Sequence, residues 1–270
     1  MKVPRVKRPC AALGGVLLLA VMPVTVGSAA TGLNPPVFLI SPQPNAAGWA
    51  GSPVTATASC APGLTVSLPA SWSVPGDTGT TTPVAASCAD PTGLVVGSDS
   101  VDLPRVDTIA PTITVTVSGG ALGANAWFTT APTATYTCAD NLSGVVACPA
   151  PERLPDGAGG PVRTISDVAG HTASARSDAK VDTTPPPAPS LGFPRGGETV
   201  EVGQSYTVQF SCPADGVSGL AACSGQYGGG AAVASGAALD AGEPGNPASL
   251  GTRSLTVASV NNAGLTSSRS

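Results

Sequence analysis

"KVDTTPPPAP" (residues 180–189) and "RVDTIAPTI" (105–113) are two copies of one phrase. Each reads basic residue, Val-Asp-Thr, then a spacer ending in proline. Asp182 minus Asp107 gives a repeat length of 75 residues. Registering the chain on this phrase reveals three units. "SPVTATASC" ends at Cys60, "APTATYTC" at Cys138 and "SYTVQFSC" at Cys212. Alternating residues rich in Thr and Val predict a half-buried strand into each cysteine. Trp49 and Trp127 each stand eleven residues before their cysteine, at 60 and 138. The third unit has Glu201 at that place.

A turn follows in every unit: "ADPTGLV" (89–95), "SDVAGHT" (166–172) and "VNNAGLT" (260–266). Asp or Asn with Gly three positions on suits a tight hairpin. The Asx side chain bonds the turn backbone, and Gly takes the positive φ that the turn requires. Val-Asp-Thr then closes one unit. Proline, which has no N–H to give a ladder, stops the strand and opens the next unit. Pro185-Pro186-Pro187 predicts a semi-rigid, extended junction. No segment carries a long amphipathic helix, so the fold class is all-β, built of short strands punctuated by Gly and Pro.

The chain starts with Lys2, Arg5, Lys7 and Arg8, then an apolar run over 11–26 and small residues over 27–30. That order predicts a secretory signal peptide over 1–30, cleaved near Ala29 or Ala30. Cys10 precedes the apolar run, so the leader is not of the lipoprotein kind. No second run of spanning length follows. The 12 Lys+Arg less four in the leader leave 8 against 16 Asp+Glu, a mature charge of −8. An acidic, sparsely charged surface does not suit nucleic acid or an anionic membrane. Six cysteines remain after the leader: Cys60, Cys88, Cys138, Cys148, Cys212 and Cys223. An even count in an exported chain predicts disulfides, and the absence of a Cys-x-x-Cys pair argues against zinc.

"YTCADNLSGVVAC", "ISDVAGHTAS" and "KVDTTPP" resemble the immunoglobulin-like repeats of bacterial secreted and cell-surface proteins. The resemblance covers nearly all the mature chain and is best in the second unit. It implies three tandem immunoglobulin-like β-sandwiches after the leader: 34–107, 108–183 and 186–270. The third has a Gly/Ala-rich insert from Gly228 to about Ser249 and a last strand that is short or truncated. Because the units fold separately, each disulfide is expected within its own repeat: Cys60–Cys88, Cys138–Cys148 and Cys212–Cys223. The first resembles the link between sheets of immunoglobulin domains, with Trp72 in their buried core position. The two tighter pairs are expected on strands joined by one turn.

The resemblance implies a spacer, adhesive stalk or accessory module, secreted or held at the cell surface, with no enzymatic activity. Its partner would be an extracellular protein or a cell-wall carbohydrate. Other readings are a carbohydrate- or calcium-binding accessory protein and a fragment of a larger secreted enzyme or adhesin. No catalytic motif is present, and the single histidine, His171, follows a hairpin glycine. Calcium would draw on Asp140, Asn141, Asp167 and Asp182, oxygen donors in loops. Those residue types are also ordinary turn formers, and the expectation is no cofactor. Trp49 and Trp127, kept in register, read as core rather than as a carbohydrate platform.

Overall fold

The computed structural model describes residues 31–228, 230–242 and 251–270. The expected leader and the last part of the Gly/Ala-rich insert lie outside them. The described chain is built of short strands joined by turns and irregular segments, with one short 3-10 turn at Ala124–Ala126. Among the described residues no helix is long and apolar enough to cross a membrane. The chain divides into two compact units. One comprises Pro53–Arg105 with the described residues up to Gln43; the other comprises Pro44–Ser52 and Val106–Ser270.

The first unit has two antiparallel sheets. Val37–Ser41, Val54–Ser59 and Ser71–Val74 form one; Thr31–Gly32, Val95–Leu103, Thr82–Ala89 and Thr65–Val66, in that order, form the other. The period-2 pattern has the expected result: Val54, Ala56 and Ala58 are buried while Thr55, Thr57 and Ser59 face solvent. Val84, Ala86, Cys88 and Leu103 bury the inward side of the other sheet. Cys60, just past the Val54–Ser59 strand, bonds to Cys88 in Thr82–Ala89 and so ties one sheet to the other. Trp72 is only half-buried. It lies on the edge strand Ser71–Val74, its ring 5.7 Å from that of Phe38.

In the second unit, Thr112–Ser118 pairs with Thr133–Ala139, whose Ala134 and Tyr136 point inward onto Leu154 and Val181. Trp127 is buried, as is Trp49. Trp127–Phe128 runs parallel to Lys180–Val181, so the strand opening the repeated phrase lies against the registered tryptophan. Cys138 lies on a strand, but Cys148, its partner, lies on a loop. In the Cys212–Cys223 pair only Cys223 is on a strand.

Residues 186–270 depart from the sequence reading in two places. The expected strand into Cys212 is split at Val208, which is fully buried. Ser205–Thr207 pairs with Ala238–Asp240, and Gln209–Ser211 pairs with Ser190–Phe193. The Gly/Ala-rich segment is not a simple insert, because Ala231–Val233 adds to the Leu220–Tyr227 strand and Ala238–Asp240 supplies the pairing just named. Ladder bonds come from the backbone, so Ala-rich segments pair without large side chains. The final strand, Thr266–Arg269, is four residues long and returns along Leu255–Asn261.

Candidate functional site

The aspartate of the repeated phrase organises two side-chain clusters of the same design. Asp182 Oδ1 accepts from the Thr184 backbone N–H at 3.2 Å and from its hydroxyl at 3.2 Å. Its other oxygen accepts from the Asn261 amide at 2.9 Å. The same amide nitrogen donates to Asp215 Oδ2 at 2.7 Å and approaches the Thr184 carbonyl at 3.2 Å. Asp182 and Asn261 are wholly buried, and Asp215 nearly so. Burial pushes the Asp215 carboxyl up. The Val217 backbone N–H and the Asn261 amide outweigh that and hold it below the ordinary carboxylate range.

The neighbouring chain is pinned around this cluster. Ser259 and Ser267 hydroxyls donate to the carbonyls of Pro187, at 3.3 Å, and Pro186, at 2.6 Å. From the far side, Ala124 N–H donates to Ala263 O at 2.9 Å, and the Asn125 amide donates to Asn262 O at 3.0 Å. Lys180 Nζ donates to Asn125 O at 3.0 Å and stands over the Trp127 ring. The proline junction is thus a bonded seam within the second unit.

The other cluster is built on Asp107. Its Oδ1 accepts from Ile109 N–H at 3.1 Å and its Oδ2 from Ser143 N–H at 2.9 Å. Asp140 Oδ2 accepts from Leu142 and Gly144 N–H at 3.0 and 2.7 Å. Asp167 Oδ1 accepts from Gly170 and His171 N–H at 2.6 and 2.8 Å. A carboxylate oxygen from each of Asp107, Asp140 and Asp167 lies within 4.8 Å of the other two. Burial raises the Asp107 carboxyl, but hydrogen bonds from Ser143 and Ile109 prevail and lower it. Asp140 Oδ1 is buried and has no hydrogen-bond partner.

Of the four residues the sequence offered for calcium, the structure brings Asp140 and Asp167 together. Asp182 belongs to the other cluster, and Asn141 is exposed on its loop outside the trio. Asp107, Asp215 and Asn261 were not singled out as site residues. The signal for Asp107 was the repeated phrase itself, read only as the end of a strand.

His171 faces two acceptors. Nδ1 lies 3.2 Å from Asp167 Oδ2, and Nε2 lies 2.9 Å from the Gly51 carbonyl oxygen. A neutral imidazole has one N–H, whereas an imidazolium donates to both. Nε2 meets a carbonyl and not a hydroxyl, so the His–Asp pair does not form a nucleophile-activating triad. The same hairpin accepts from the Asn45 amide through Val168 O at 2.7 Å. Glu152, Arg163 and Tyr136 form a separate network. Arg163 grips both Glu152 oxygens, and the Tyr136 hydroxyl donates to Glu152 Oε1 at 2.7 Å.

No family model matches the chain, and no curated protein matches it significantly in sequence. The three disulfides, Cys60–Cys88, Cys138–Cys148 and Cys212–Cys223, fit an oxidising compartment.

Proposed function

We propose that the protein is a secreted, non-enzymatic structural protein of three tandem immunoglobulin-like repeats, a spacer or adhesive stalk whose second and third repeats are held in fixed relation. The observation that carries this reading is the Asp182–Asn261–Asp215 cluster with its pinned proline segment. A binding module on a flexible tether has no use for such a seam. A stalk does, because its reach depends on stiff junctions. The chemistry agrees: the single histidine is engaged by a buried aspartate and a backbone carbonyl, and the two registered tryptophans are core.

Residual dipolar couplings on the mature chain test the reading. One alignment tensor should fit residues 108–183 and 186–270 together. Two independent tensors would remove the stalk. N-terminal sequencing of protein from the medium should begin near Thr31, and recovery of Met1 would remove secretion by a cleaved leader.

A further inference from the structure

The two clusters differ at one chemical position. Asp167 and Asn261 hold the same hairpin place: each backbone N–H donates to the carbonyl four residues on, and each Oδ1 accepts the N–H of that residue. Asp140 and Asp215 also correspond, each accepting from the N–H two residues on and each followed by Ser and Gly at the third and fourth positions. In the Asp182 cluster, the second oxygen of Asp215 receives the Asn261 amide. In the Asp107 cluster the counterpart is Asp140 Oδ1, the buried oxygen without a partner. An oxygen of Asp167 lies within 4.8 Å of one of Asp140, where Asn261 gives an NH₂ to Asp215. The cluster therefore has an acceptor where its twin has a donor.

We propose that Asp107, Asp140 and Asp167 bind one calcium ion, which stands in for the Asn261 amide. Three carboxylates converge within 4.8 Å of one another, a concentration of negative charge that a divalent cation offsets. The donors are all hard oxygens without thiolate, and His171 turns its two nitrogens to Asp167 and Gly51, which suits calcium rather than zinc. The Thr184 carbonyl, which the Asn261 amide approaches, has its counterpart in the Ile109 carbonyl, two residues past Asp107, a further oxygen on the same strand of chain. The carboxylates come from three separated segments, so the ion would fasten the Asp107 phrase to the Asp140 loop and the Asp167 hairpin. The chemistry of the site stands whether or not the protein serves as a stalk.

The test uses the mature chain, calcium chloride and a chelator. Calorimetric titration should show about one calcium per chain. Melting should rise by roughly 5 °C or more in about 1 mM calcium over chelator, since an ion that binds only the folded state raises its stability. Asp167→Asn copies the twin cluster. It should melt in chelator at or above the wild type and show no calcium response. Should that variant fail to fold, Asp140→Asn serves in its place. A wild type indifferent to calcium in both heat and melting overturns the proposal. So does a calcium response that survives Asp167→Asn or its substitute, because the ion then sits elsewhere.

Discussion

The Asn261 amide nitrogen lies 2.9 Å from Asp182 Oδ2, although 79 residues separate the two in sequence. Both side chains are buried, and the same nitrogen serves Asp215. Asn261→Ala removes the donor from two buried carboxylates at once. The expected loss is about 3 kcal/mol, because acceptors left dry and unmatched keep their full desolvation cost. Chemical denaturation measures it. A loss below about 0.5 kcal/mol, the level of an ordinary surface substitution, would show that the cluster is not a buried clip.

Gly123 permits the close approach of its loop to the Asn261 hairpin. A Cβ there would meet Ala263 O at 2.2 Å and Thr129 Cγ2 at 2.6 Å. The backbone oxygen has no rotamer with which to move aside. Gly123→Ala should cost about 2 kcal/mol through forced separation. Hydrogen exchange should accelerate at the Ala124 amide, which donates to Ala263 O. Unchanged protection at Ala124 would contradict the close approach.

Ala126 is held at φ 59°, in the left-handed region, where L-residues carry strain. The registered tryptophans align it with Gly48, at φ 78°, so one copy of the loop uses glycine where the other uses alanine. Ala126→Gly should be stabilising by about 0.5 kcal/mol, relief of strain exceeding the entropy glycine adds to the unfolded chain. Gly48→Ala should be destabilising by about 1 kcal/mol. Thermal midpoints of the pair moving the other way would refute the alignment.

Glu152 sets an acid limit. Arg163 and the Tyr136 hydroxyl depress its carboxyl from 4.5 to about 2. A group whose folded value is depressed stabilises above its unfolded value and loses that contribution as pH falls through the folded one. The stability difference between wild type and Glu152→Gln should be constant above pH 4.5 and shrink toward zero as pH approaches about 2. Comparing the two proteins cancels the other carboxylates. A difference independent of pH across this window would mean that the pair is not formed.

Much of the architecture is legible in one dimension. Alternation in "SPVTATASC" and "APTATYTC" marks strands because successive side chains face opposite sides, and the hairpins follow from Asx and Gly chemistry. Even composition misled at one point: Gly/Ala-rich residues 231–233 and 238–240 read as an insert, yet they pair as strands, since pairing is a backbone property. The split at Val208 was hidden for a related reason. Alternation shows which face is buried, not which neighbour a strand pairs with.

By itself the sequence determined most of the strands, the turns, the repeat of 75 residues and the supply of cysteines, because each depends on residues near one another in the chain. Only the tertiary structure decided which aspartates meet. Asp107 joins Asp140 and Asp167, from 33 and 60 residues away (140 minus 107, 167 minus 107), while Asp182 joins Asp215 and Asn261. As turn residues, Asp167 and Asn261 are interchangeable, since either Oδ1 accepts the turn N–H. Their difference lies in the other atom of the side chain, a donor in one and an acceptor in the other. That atom acquires meaning only when folding buries it against carboxylates from distant segments, away from the water that would satisfy either.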